Sequence, residues 1–158
     1  MIVYRIEREK YLKDTLKGIG ASLSPGFRWN SLNTRLVYTA DSRALSTLEV
    51  SVHLDLIEDL PNDRYMVEID IPDNILILEV ALEDLPKNWD AKPPVLSTQT
   101  LGDDFVLENN AAILKVPSSI ISQEYNYLIN PLHPDIKRIK ITKKYPFLFD
   151  PRLSANKK

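Results

Sequence analysis

The chain has 158 residues, enough for one domain whose core needs no cross-links. Its 20 Lys and Arg stand against 22 Asp and Glu, and the sequence pI is about 5.7, so no direct nucleic-acid binding through a basic field is expected. Cysteine is absent, which excludes disulfides, thiolate metal sites and cysteine nucleophiles. Met1 to Ile6 acquires charge too early for a signal peptide, and no apolar run nears the roughly 20 residues that cross a bilayer. A soluble cytoplasmic domain without membrane contact is the expectation.

In chain order, Leu36–Tyr38 reads as a short strand, and Asp41 or Ser42 caps a helix running to about His53. Tyr65, Val67, Ile69 and Ile71 alternate with Met66, Glu68 and Asp70 as a strand does, and 74–80 offers a further one. Lys92-Pro93-Pro94 is a surface loop. Ser97 or Thr98 opens a second helix through Leu101, Phe105 and Leu107. Strands follow at 112–116 and around Ile139 and Ile141, and the polar tail 154–158 is expected to fray. Strands and helices do not alternate strictly, and no Gly-x-Gly-x-x-Gly follows a strand. The fold class is α+β in one domain.

Three clusters carry polar residues in unexpected places. Leu45, Leu48 and Val52 mark an apolar helix stripe, and Glu49 lies inside it. A carboxylate there needs a partner or a function, and before any resemblance is considered the favoured account is structural: an ion pair with an arginine, or a helix-edge Glu whose stem packs while its carboxylate reaches water. His53 is one turn on, within reach of Glu49. In the second cluster, Pro25-Gly26-Phe27-Arg28-Trp29-Asn30 puts a guanidinium beside aromatic rings, which suits a phosphate and a flat ring, or else packing under a loop. The third runs from Val116-Pro117-Ser118-Ser119 to Glu124-Tyr125-Asn126-Tyr127 and Asn130-Pro131-Leu132-His133-Pro134, and reads first as turn chemistry. Only His53 and His133 are present, without metal-ligand spacing, so no metal is expected. A Ser118, His133 and Asp135 triad lacks the glycines of a nucleophile elbow.

Taken in order, these segments resemble the RES family, named for its Arg, Glu and Ser. The resemblance runs through Tyr4-Arg5-Ile6, Gly18-Ile19-Gly20-Ala21, Gly26-Phe27-Arg28-Trp29-Asn30 and Leu36-Val37-Tyr38-Thr39-Ala40. It continues through Ser42 to Glu49, His53, Leu85-Pro86-Lys87-Asn88-Trp89, Leu101 to Phe105 and Val116-Pro117-Ser118-Ser119. Asn126 to Pro131, His133-Pro134-Asp135 and Phe147 to Leu153 complete it. Two positions depart from the family's pattern: Phe27 stands where a second glycine is usual, and Asn33 where a glycine is common.

The resemblance implies a RES domain over 1–153 with an ADP-ribosyltransferase-like fold, two packed β-sheets with surrounding helices. It implies the toxin of a toxin–antitoxin pair that degrades NAD by cleaving the nicotinamide–ribose bond, as a glycohydrolase or phosphorylase. The alternatives are an ADP-ribosyltransferase acting on a host protein and a non-catalytic NAD- or antitoxin-binding module. NAD is then substrate rather than cofactor, and the implied partner is an Xre-like antitoxin; a homo-oligomer is left open. As the bond breaks, positive charge develops on the ribose, and a carboxylate in a water-poor pocket stabilises it. The resemblance gives that role to Glu49. Arg28 holds the pyrophosphate with Arg5 as a further phosphate ligand, and Tyr38 stacks on nicotinamide or orients the ribose. Ser118 bonds the ribose or supports Glu49, and Trp29, Asn30, His53 and Asn126 complete the NAD contacts.

Overall fold

The computed structural model describes residues 1–54 and 60–153; the tail 154–158 lies outside the described residues. Seven strands form one sheet: β1 (Ile2–Arg8), β2 (Val37–Ala40), β3 (Arg64–Asp70), β4 (Ile77–Glu79), β5 (Ile113–Pro117), β6 (Tyr125–Ile129) and β7 (Lys140–Phe147). Their order is β4-β5-β6-β2-β1-β3-β7, with β4 and β5 parallel and every other neighbouring pair antiparallel. Among the described residues, three α-helices accompany the sheet, α1 (Ile19–Ser22), α2 (Arg43–Ser51) and α3 (Leu96–Glu108). The class is α+β.

The two sheets expected from the resemblance are two halves of one ladder. β1 pairs with β3 along all seven of its residues but meets β2 at a single position, Tyr4 opposite Ala40. β2 has only four residues, and its ladder runs with β6 instead. The sheet is therefore thinnest between β2 and β1, and the carbonyl of Tyr38, two residues short of that junction, accepts from Arg5 Nη1 at 3.0 Å.

Strand alternation gives the sheet two faces. One carries Val3, Val67, Ile69, Val37, Ile113 and Ile129, all in one apolar cluster with Ile71, Ile75 and Ile139. The other face carries two smaller clusters. Leu114, Val116 and Leu128 pack with Trp29, Leu36, Trp89 and Phe105, while Ile6 and Met66 pack with Phe149. α2 covers this second face over β1 and β2.

Local sequence explains the elements beside the site. Ser42 caps α2, its Oγ accepting from Leu45 N at 3.0 Å. Leu45 is buried and Leu48 half-buried, whereas Val52 is 52% exposed because the helix has ended at Ser51. α3 starts without a side-chain cap; Thr98 donates instead to Val95 O at 2.9 Å, and Leu107 is exposed rather than part of the stripe. α3 also comes close enough to Trp29 that a Cβ on Gly102 would lie 1.6 Å from the Trp29 carbonyl oxygen. Asn33 has a φ of 72°, a left-handed turn position that asparagine tolerates in glycine's place.

Candidate functional site

A cavity of about 750 Å³ opens on the second face of the sheet, at the thin junction between β2 and β1. Its floor comes from Tyr4, Ile6, Tyr38, Ala40 and Asn126, whose side chains all point to that face by strand alternation. α2 supplies one wall through Ser46, Glu49 and Val50, and the 26–29 segment supplies another. Arg5, Lys92 and Pro94 complete the polar and loop lining, with Ser119 and Ile120 from the β5–β6 connection.

Glu49 is the organising residue. Its Oε1 accepts from Ser118 Oγ at 2.8 Å and from Asn126 Nδ2 at 2.6 Å. Ser118 is itself fully buried and pinned, accepting from the backbone N–H groups of Ile120 and Ile121 at 3.1 and 3.2 Å. Asn126 sits on β6 between Ala40 and Val116, which aims its amide at α2. Oε2 takes no hydrogen bond among the described residues. It is not sealed in protein either, since the one fully enclosed side-chain oxygen without a partner there is Asp41 Oδ1. No cation lies within ion-pair distance of Glu49 among the described residues, so the arginine pairing that the sequence left open is not what holds it.

Arg28 lines the cavity and is anchored from behind. Nη1 donates to the carbonyls of Trp89 and Ala91, at 2.5 and 3.1 Å, and Nη2 reaches Asp90 O at 3.5 Å. Burial lowers its pKa, opposed by the negative charges of Asp90 and Glu49. Arg5 also lines the cavity, with Nε on Glu7 Oε2 at 3.0 Å and Nη1 on the Tyr38 carbonyl. Tyr38 presents a ring rather than a free hydroxyl. Its OH donates to Asn30 Oδ1 at 2.6 Å and accepts from Trp29 N at 3.1 Å, and burial pushes the phenol above its ordinary range. Phe27 packs on that ring, with centroids 5.1 Å apart and planes tilted by 41°. Phe27 thereby adds an aromatic side chain to the cavity lining.

Several expected contacts fall elsewhere. Asn30 is fully buried, and its Nδ2 donates to the carbonyls of Ala21, Ser31 and Thr34; it braces Tyr38 and does not line the cavity. Trp29 is 2% exposed and stacks on Trp89 in the core, so it offers the cavity little surface. Ser118 lies behind Glu49, not in the cavity, which places it as a support for the carboxylate. His53 stands exposed at the mouth and makes no hydrogen bond to Glu49. His133 accepts from Asp135 N at 3.1 Å as the cap of a 3-10 turn, while Ser118 bonds Glu49, so no triad assembles.

Tyr4, Ile6, Ser46, Val50 and Lys92 line the cavity without having been singled out from the sequence. Strand alternation in Tyr4 and Ile6 was the available signal, because both fall on one face of β1. Lys92, on the Pro-rich loop, is brought to the rim by the Arg28 anchor on the carbonyls just before it.

Known proteins agree with this architecture. The RES domain model matches residues 2–150. The "Prs ADP-ribosylating toxin" of Sphingobium sp. (strain YBL2) is 45% identical over 145 residues, covering 90% of this chain and 89% of that protein. A "Toxin Res" of Photorhabdus laumondii is 38% identical, with 100% of both chains covered. Another "Toxin Res", from Yersinia enterocolitica, is 34% identical over 97% of this chain and 99% of that protein. In fold, the chain resembles one in the crystal structure of the M. tuberculosis MbcT–MbcA toxin–antitoxin complex, with a TM-score of 0.71 at 17% identity over 97% of this chain and 86% of that one. With the family model spanning nearly every residue and relatives matched along their length, the chain belongs to the RES-domain family.

Proposed function

We propose that this protein is the toxin of a toxin–antitoxin pair and acts by cleaving the nicotinamide–ribose bond of NAD. The observation that carries the proposal is Glu49, with one carboxylate oxygen fixed by two neutral donors and the other open to the cavity. Neutral donors orient the carboxylate without cancelling its charge. The negative charge stays available for a cation that forms beside it, which is where electrostatic stabilisation acts most strongly.

The rest of the cavity suits a dinucleotide. Among the described residues, Arg28 and Lys92 line it with Glu49 as the one carboxylate, while Arg5 is paired with Glu7, and the two cations suit a ligand carrying phosphates. Phe27, Tyr38 and Tyr4 offer apolar ring surface for a flat heterocycle. Nicotinamide leaves as a neutral molecule from a cationic precursor, so no general acid is required. Glu49 stabilises the oxocarbenium-like ribose, and Arg28, held by three backbone carbonyls, binds the pyrophosphate. Ser118 and Asn126 keep Glu49 on its axis. Transfer to water or phosphate degrades NAD. Transfer to a protein side chain is the second reading, and it is favoured by the name of the 45% identical Sphingobium relative. An antitoxin partner, Xre-like by the resemblance, is supported by the toxin–antitoxin complex in which the structural neighbour was solved.

The test uses purified protein free of antitoxin, NAD labelled on its adenylate half, and a lysate of susceptible cells. Nicotinamide release with label in free ADP-ribose or its 1-phosphate supports degradation. Release with label in a protein band supports transfer. Intact NAD in both settings overturns bond cleavage altogether.

A further inference from the structure

α2 carries three hydroxyl side chains between Ser46 and Ser51, and two of them are spent on the helix itself. Thr47 Oγ1 donates to Arg43 O at 2.8 Å and Ser51 Oγ donates to Thr47 O at 2.6 Å. Each is the back-bond to the i−4 carbonyl that a helical hydroxyl makes when nothing else claims it. Ser46 is different. The carbonyl it would reach is Ser42 O, which accepts Ser46's backbone N–H at 3.0 Å but not its hydroxyl.

Ser46 is 4% exposed, yet its hydroxyl makes no hydrogen bond among the described residues. A hydroxyl with no protein partner keeps its donor and both acceptor sites free for whatever enters the space beside it. The only side-chain oxygen both unpaired and sealed in protein among the described residues is Asp41 Oδ1. Ser46 Oγ therefore keeps contact with open space, and the space that Ser46 borders is the cavity. Glu49 is three residues further along, so the two side chains share one face of the helix.

We infer that Ser46 is a substrate-contacting residue, hydrogen-bonding one hydroxyl of a ribose whose neighbouring hydroxyl donates to Glu49 Oε2. The assignment rests on the NAD reading above for the identity of the ligand. A carboxylate only accepts, whereas a serine hydroxyl both accepts and donates. A vicinal pair of ribose hydroxyls satisfies both groups at once, and a flat apolar ring satisfies neither. Ser46 thereby adds binding and orientation on the side of the ribose away from Ser118 and Asn126, which are committed to Oε1.

Ser46→Ala removes the hydroxyl without harming the helix, since alanine is the better helix former. Thr47→Ala, the adjacent helical hydroxyl, whose Oγ1 is spent on Arg43 O, is the control. The experiment measures nicotinamide release from NAD, calorimetric binding of ADP-ribose, and Tm for both variants and the native chain. Ser46→Ala is expected to raise KM for NAD and Kd for ADP-ribose about three- to tenfold, the effect of one lost hydrogen bond, with Tm at or slightly above native. Thr47→Ala is expected to leave KM and Kd at their native values. Unchanged KM and Kd in Ser46→Ala overturn the assignment, whatever happens to Tm. If the native chain releases no nicotinamide, cleavage fails but ADP-ribose still decides on Ser46: weaker binding in the variant upholds it, equal binding overturns it. A native chain that neither cleaves NAD nor binds ADP-ribose overturns both.

Discussion

Glu49 is half-buried on a helix stripe that is otherwise aliphatic at Leu45 and Leu48, and its two hydrogen bonds explain how it is tolerated there. Hydrogen bonds to a charged group contribute about 1.5–3 kcal/mol each, enough to offset much of the desolvation of a half-exposed carboxylate. Replacing Asn126 with Ala removes one of them and lets the carboxylate swing. NAD cleavage is expected to fall about tenfold in kcat, read from nicotinamide release, with KM little changed, because binding groups elsewhere are untouched. Ser118→Ala has the same kinetic direction and an added structural cost. It strands the N–H groups of Ile120 and Ile121, so a loss of about 1–3 kcal/mol is expected in urea unfolding. Tyr38 divides a structural role from a chemical one. Tyr38→Phe keeps the ring but unpairs Asn30 Oδ1 and Trp29 N, so stability is expected to drop by about 1–3 kcal/mol while cleavage persists. A large loss of kcat at native stability would show instead that the hydroxyl works on substrate.

At the level of elements, two contacts set the site's walls. α3 lies against the Trp29 backbone with no room for a side chain at Gly102, so Gly102→Ala forces the helix away from the cavity wall. The expected loss is at least about 3 kcal/mol, visible as a fall of roughly 6–12 °C in Tm for a chain of this size. The start of α2 is tied to β3 and β7: Arg43 Nη2 bonds Glu68 Oε1 at 2.6 Å, and Arg43 Nε donates to Tyr145 OH at 2.9 Å. A cation in the first turn of a helix is unfavourable for the helix dipole, which makes the tertiary pairing the reason for Arg43. The Arg43 hydrogen bond, helped by Lys143, holds the Glu68 carboxyl below its ordinary value of 4.5. The folded chain therefore binds this proton less readily than the unfolded chain, so the contribution to stability is complete above about pH 4.5 and fades as pH falls through the folded value. Native protein is expected to exceed Glu68→Gln in Tm at pH 7 and to lose that margin progressively below pH 4.5; a margin independent of pH would contradict the pairing.

Legibility from sequence followed the same division of elements. The cap at Ser42, the helix that follows and the strand at 65–71 were readable because their periodicity is uninterrupted. β6 was not, because Asn126 breaks the apolar pattern and the nearby Asn130-Pro131 suggests turns. Tyr125, Tyr127 and Ile129 nevertheless alternate with Asn126 and Leu128, and the polar residue in that strand is the one bonded to Glu49. β1 hid behind its charges at Arg5, Glu7 and Arg8, which pair with one another or with Asp63 once the strand is in place. Among candidate site residues, Glu49, Arg28 and Tyr38 stood out only through the ordered resemblance, while the bracing contacts of Asn30 and Ser118 reach partners 8 and 69 residues away. Lone residue types do not encode such long-range partners.

Across the whole molecule, the sheet is continuous yet joined at one pair of residues, and the cavity opens at that junction. One face is sealed by a single apolar cluster spanning both halves, which keeps the halves together while the other face divides around α2. Among the described residues no helix is long and apolar enough to cross a membrane. The site thus needs no moving part to bring Glu49, Asn126 and Arg28 together; they are assembled by strand register and by backbone carbonyls. If Glu49 stabilises the charge on a ribose as nicotinamide leaves, nicotinamide release from NAD separates the native chain from Glu49→Gln, with folding of both checked by Tm. The native chain is expected to release nicotinamide, and the folded variant to be slower by about a hundredfold or more, the scale of losing a preorganised electrostatic group. Equal rates in the two proteins, or no release by a folded native chain free of antitoxin, would contradict it.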